Sequence, residues 1–189
     1  MYTASISVDQ VIDALVAFLA PFMPGAQIVR AQVNRVALPS NPCAVLTELL
    51  QVDLSVPATE YQPPVAPAPA IGTATIYGPS RIDVQIDFYG AQAGEFCKTV
   101  KTAFRSHWGF AHFPANIKPL YTSDGVQSPL LTGEQQYESR WTLTASMQYN
   151  PTVQQKHKMH PYQRELFFYF PLTKDTLICF KHLFFQLLL

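Results

Sequence analysis

Residues 81–88 alternate strictly. Ile82, Val84, Ile86 and Phe88 fall on one side; Arg81, Asp83, Gln85 and Asp87 fall on the other. A period of two marks a strand with one dry face and one wet face. Tyr89-Gly90 interrupts it. From Ala91 the apolar spacing becomes helical, with Phe96, Val100, Ala103, Phe104 and Trp108 on one stripe and Lys98, Lys101 and Arg105 off it. The pattern over 81–108 therefore predicts a strand that leads directly into an amphipathic helix covering its own sheet.

The same periods recur along the chain. Ser7-Val8-Asp9-Gln10 fits a capping box, with Ser7 as N-cap and Gln10 three residues on. Val8, Val11, Ile12, Leu15, Leu19 and Phe22 follow at helical spacing, and Pro21 and Pro24-Gly25 end the run. Residues 27–36 read as a strand with Val29, Ala31 and Val33 opposite Arg30, Gln32 and Asn34. After the turn Pro39-Ser40-Asn41-Pro42, residues 43–56 read as a second strand. Its later part is expected to point Leu50, Val52, Leu54 and Val56 inward. Residues 57–70 hold five prolines and no glycine, which suits an extended, stiff loop. Residues 71–77 form a third short strand, turned at Gly78-Pro79 into the strand at 81–88. An irregular stretch, 109–133, offers Leu120-Tyr121 and Leu130-Leu131 as short extended pieces. Residues 134–149 then give a clear strand, with Tyr137, Trp141, Leu143, Ala145, Met147 and Tyr149 on one face.

These elements predict an α/β (α+β) domain in the order α-β-β-β-α-β. Two amphipathic helices would lie on an antiparallel or mixed sheet of four to five strands. The expected core face is Ile82, Val84, Ile86, Phe88, Trp141, Leu143, Ala145 and Met147, under Phe96, Val100 and Phe104. The domain is expected to span 1–153, with an aromatic and leucine-rich extension over 154–189. That extension holds eight of the 24 aromatic residues and has no clean period, and Pro171, Lys174, Asp175 and Lys181 interrupt it as a membrane span.

Charge changes the picture in two ways. Only 14% of the 189 residues are charged while 48% are hydrophobic, a composition that suits either a large aromatic core or surfaces that become buried against partners. The net charge is zero, so no global basic field invites nucleic acid. Residues 1–150 carry 8 basic against 11 acidic residues, a net of −3; residues 151–189 carry 5 against 2, a net of +3. Cys43, Cys97 and Cys179 are odd in number and show no paired spacing, so a disulfide framework is not expected. No basic residue precedes the first apolar run, which contains Asp9 and Asp13, so no secretory leader is expected.

Candidate chemistry is sparse. The chain has no glycine-rich phosphate loop, zinc-protease helix motif or nucleophile elbow. Asp83 and Asp87 share a strand face, but four residues of strand separate them by about 13 Å, too far for a glycosidase pair. Cys97 and His107, ten residues apart on the predicted helix, stand about 15 Å apart and cannot form a nucleophile pair. The one pattern with metal-like spacing is His157-x-x-His160 with Cys179-x-x-His182. Three histidines with one cysteine make an unusual structural set, so no metal or cofactor is assigned and these four residues remain the alternative. Phe104-Arg105-Ser106-His107-Trp108 interleaves aromatic and basic residues and gives a second reading, a nucleic-acid-binding module, although the helical spacing favours a core role for both aromatics. A small hydrolase is the third reading, with least in its favour.

Several segments together resemble a known family. They are PGAQIVRAQVNRVALPSNPCAVLT, VQIDFYGAQAGEF, TAFRSHW and KPLYTSDGVQSPLLTGEQQYESRWTLTASMQYNP. The most specific pieces are Asp87-Phe88-Tyr89-Gly90, Phe104-Arg105-Ser106, Pro119-Leu120-Tyr121 and 135–141 (QQYESRW). Over about residues 5–153 the chain resembles the neck terminator, or tail terminator, proteins of long-tailed bacteriophages. The resemblance implies a non-enzymatic virion protein of the tail and neck, assembled in the cytoplasm of the host bacterium. It implies a ring of subunits, hexameric by expectation, that caps the tail tube and joins it to the head-tail connector. The implied partners are further copies of the chain, the tail tube protein, and connector, adaptor or collar proteins. The sheath is a further candidate, and genomic DNA would pass through the lumen without specific binding. Subunit or partner interface candidates are Arg30, Arg35, Tyr61, Arg81, Asp83, Asp87, Arg105 and Arg140. After about residue 155 the chain departs from the family pattern.

Overall fold

A computed structural model of the chain describes residues 4–31, 42–62, 71–128, 130–131 and 137–158. Helix α1, Val8–Leu19, begins on the expected capping box: the Ser7 hydroxyl accepts from the Gln10 amide and the Gln10 side chain accepts from the Ser7 amide. A short 3-10 turn, Ala20–Phe22, follows, with Pro21 in its first positions. Strands β1 (Gln27–Arg30) and β2 (Cys43–Asp53) come next, then β3 (Ala58–Gln62), β4 (Ile71–Tyr77) and β5 (Ser80–Tyr89). Helices α2 (Ala93–Phe104) and α3 (His107–His112) precede β6 (Ile117–Thr122), β7 (Val126–Gln127), β8 (Leu130–Leu131), β9 (Tyr137–Glu138), β10 (Arg140–Tyr149) and β11 (Thr152–Lys158).

A mixed six-stranded sheet runs β1-β2-β5-β10-β6, with β7 also on β10. Only β1 and β2 are parallel among its pairings; β2, β5, β10 and β6 run antiparallel. The register of β5 against β10 sets Phe88 opposite Trp141, Ile86 opposite Leu143, Val84 opposite Ala145 and Ile82 opposite Met147. These side chains form the core floor. All are fully buried except Trp141, which is half-buried, and Val100 and Phe104 of α2 are fully buried with them. Leu15, Phe18 and Leu19 of α1 complete the layer. Phe18, Phe104 and Phe113 pack edge-on or stacked at centroid distances of 5.0–5.7 Å, in the range where aromatic pairs add to simple burial.

The chain divides into two compact units, residues 1–61 with 74–155 and residues 62–73 with 156–189. The first holds the six-stranded sheet and its helices. Of the second, the described residues are 62, 71–73 and 156–158, at the ends of β3, β4 and β11. These three strands form a sheet in the order β11-β4-β3. A two-stranded β8-β9 pair stands apart from both sheets.

The structure corrects four details of the sequence reading. The helix predicted to reach Trp108 stops at Phe104, and Ser106 caps a new helix by accepting from the Gly109 amide at 3.2 Å. Cys97 and His107 therefore lie on different helices. In β1 it is Ile28, not Val29, that packs on the core. Tyr137 belongs to β9 rather than to the long strand and is 82% exposed. Leu50, Val52, Leu54 and Val56 point to solvent rather than inward.

Candidate assembly surface

The six-stranded sheet has two unlike faces. One lies under α1 and α2. The other carries the polar positions of β5 and β10, and the antiparallel register aligns them: Asp87 opposite Thr142, Gln85 opposite Thr144, Asp83 opposite Ser146 and Arg81 opposite Gln148. Asp87 is only 4% exposed. Its carboxylate accepts from Arg140 Nε (3.1 Å) and Nη2 (3.0 Å), from the Thr142 hydroxyl (2.6 Å) and from Gln85 Nε2 (2.8 Å). A buried carboxylate is tolerated only when its oxygens are satisfied in this way. Asp83 accepts from Ser146 at 2.6 Å and pairs with Arg81 at 3.2 Å, and Arg81 in turn donates to the Tyr121 hydroxyl at 3.0 Å. The face is thus a string of closed internal pairs, in which the charged groups hold one another in place.

Strand β2 carries the change of register. Ala44, Leu46 and Glu48 pair with Phe88, Ile86 and Val84, on the helix side; then the register shifts between Glu48 and Leu50. One extra residue, Leu49, transfers every following side chain to the other face. Leu50 comes opposite Asp83 and Val52 opposite Arg81. The apolar alternation of 50–56 consequently lies outside the core, with Leu49 51%, Leu50 52%, Leu54 44% and Val56 88% exposed. All five residues of β3 are exposed, including Tyr61, and β3 ends the order of its sheet. Tyr77 of β4 reaches across to it, donating to Glu60 at 2.8 Å.

The candidate residues are not gathered at one point. Asp83, Asp87, Arg81 and Arg140 share the polar face just described. Arg30 sits at the opposite edge, bonded to Asp9 of α1 at 2.7 Å and to Glu48 at 3.1 Å. Tyr61 stands on β3. Arg105 is exposed at the C-cap of α2 and makes no ion pair among the described residues. Arg35, His160, Cys179 and His182 lie outside the described residues, as does the His157 side chain. Among the described residues no group of three or more His, Cys, Asp or Glu side chains could hold a metal ion. Burial pushes the thiols of Cys43 and Cys97 up from their ordinary pKa, Lys101 partly opposing this at Cys97; neither is an activated thiolate.

The aromatic half of the nucleic-acid pattern serves packing. Phe104 is fully buried, and Trp108 lies 5.0 Å from Phe22 and 5.5 Å from Phe18 by ring centroids, with His112 stacked on it at 3.5 Å. The surface residues missed by sequence reasoning are Leu49, Leu50 and Val52. Their signal was the doubled leucine after Glu48, which breaks the alternation where the bulge occurs.

A model of the phage neck terminator protein family matches residues 9–162, from the first turn of α1 to just beyond β11. The chain belongs to this family. No curated protein matches it. As a phage neck terminator protein it is a structural component of the neck and tail of the virion, in contact with other head and tail proteins. The matched span includes the bulged β2, the exposed β3 and the paired carboxylates of the polar face. It also runs past residue 153, where the likeness read from sequence segments stops.

Proposed function

We propose that copies of this neck terminator protein close into a ring, six by expectation, that caps the tail tube and joins it to the head-tail connector. The observation that carries the reading is the exposed apolar run from Leu49 to Val56, continued by the outer strand β3 and its Tyr61. Contiguous apolar surface together with an unpaired strand edge is a liability in a free subunit and an asset in an assembled one. The partners are neighbouring copies, the tail tube protein and the connector, adaptor or collar proteins, with the sheath as a further candidate. The net charge of −3 over residues 1–150 suits a lumen through which DNA slides without adhering. The Pro-rich residues 57–70, which begin at β3, are assigned as an arm toward a neighbour. No catalysis and no cofactor are assigned.

Particles assembled without this chain should accumulate as separate heads and tails, and adding the purified protein should join them. Normal joining in its absence would overturn the reading. We further place residues 154–189 outside the core domain. A chain cut after Gln155, where the first compact unit ends, should still unfold cooperatively; loss of the cooperative transition would move the boundary.

A further inference from the structure

The two helices of the sheet carry opposite charge. On α1, Asp9 and Asp13 are exposed one turn apart, and Glu48 of β2 stands across from Asp9. Arg30 bonds Asp9 and Glu48, and Asp13 acts on it only through its charge, so one guanidinium faces three carboxylates and the edge keeps a negative excess. The groove there, about 320 Å³, is lined by Asp9, Arg30, Glu48 and Thr47 with Ile12 and Leu46 beneath. Farther along, the exposed positions are Ala17 of α1 and Ala20 of the turn that follows it, so no long side chain there bars approach to this edge.

On α2 the sign is reversed. Lys98, Lys101 and Arg105 recur at i, i+3 and i+7 and so share one helical face. Lys101 is held by Asp124, whose carboxyl it draws below the usual range. Lys98 and Arg105 are exposed and make no ion pair among the described residues. Glu95, one turn before Lys98, is the acidic residue of α2 itself, and it lies at the end away from Arg105.

We infer that the Lys98–Arg105 face of one copy docks on the Asp9, Asp13 and Glu48 edge of a second copy. Complementary patches at different places on one subunit are what a head-to-tail contact requires, and such a contact repeats around a ring. A two-fold contact would use both patches twice and stop at a dimer, whereas a head-to-tail contact repeats until the ring closes. The planar fork of Arg105, presented just past the last turn of its helix, suits a carboxylate partner. The inference rests on the ring reading above and specifies its seam.

The test is a charge swap, read as self-association by sedimentation of the full chain. Arg105→Glu and Asp13→Arg replace exposed side chains and should leave the circular dichroism and melting of the subunit unchanged. Each alone should weaken self-association by at least about tenfold, because like charges brought together across an interface are costly. The double variant should recover to within about threefold of the parent. Association should also weaken as salt rises from about 0.05 to about 0.5 M, where screening shortens the reach of exposed charges. If the parent associates and neither single variant changes it, or the double variant is no better than the worse single one, the seam is overturned and the ring is not. A parent that remains monomeric at low salt overturns both.

Discussion

Leu46 and Leu50 lie four residues apart on one strand, yet the first is 3% exposed and the second 52%. Both belong to β2, and both are flanked by residues of similar kind. The difference is register. Up to Glu48 the strand keeps step with β5, so that Leu46 enters the layer under α1; beyond the bulge the same alternation faces outward beside Arg81 and Asp83. The inner half of β2 builds the domain. The outer half, continued by Val56 and β3, offers apolar side chains that nothing within the described subunit covers. A single inserted residue divides a strand into a part for folding and a part for assembly.

The inner half of the sheet gives the largest effect. Phe88→Ala should destabilise the subunit by about 3–5 kcal/mol, since Phe88 is fully buried opposite Trp141. Denaturant unfolding measures it, and a loss below about 1 kcal/mol would refute the assigned floor.

A paired substitution sharpens the contrast within β2. Leu46→Ala should cost about 2–5 kcal/mol, whereas Leu50→Ala should stay within about 0.5 kcal/mol in the free subunit. Equal costs would mean that the two halves of the strand are not distinct. Only the Leu50 variant should leave a stable subunit that joins heads to tails poorly.

On the polar face the effect is smaller. Arg140→Lys keeps the charge but loses the two-nitrogen grip on Asp87, and should cost about 1–2 kcal/mol. A neutral result would mean that Thr142 and Gln85 alone satisfy the carboxylate.

Much of this fold was written in local pattern. The capping box at Ser7 and Gln10 and the alternation of 82–88 and 141–147 each depend on residues near in sequence, and the structure has them as expected. What escaped depends on partners far away. The Asp87–Arg140 pair joins residues 53 apart, and no periodicity reveals it before the register is known. The bulge at Leu49 is defined only against β5. The break after Phe104 was accessible in principle. Ser106 is a strong cap residue, and a side chain at Gly109 would strike the Ala103 and Phe104 carbonyls. The continuing aromatic stripe masked that signal.

Of the surface candidates, Arg30, Arg81 and Arg140 turned out to be engaged within the subunit, which is how a low-charge chain positions its few ions. The exposed apolar run of β2 has the pattern of a core strand because its alternation is genuine. Alternation shows that a strand has a dry face, but it does not show which molecule keeps that face dry.

Hydrogen exchange, compared between the free subunit and the assembled neck, tests that last point directly. Amides of residues 50–62, hydrogen-bonded along only one edge of β2 and β3 among the described residues, should gain protection on assembly, while those of 82–88 are equally protected in both states. Unchanged exchange over 50–62 in the assembled particle would contradict the claim that this stretch is the subunit's assembly surface.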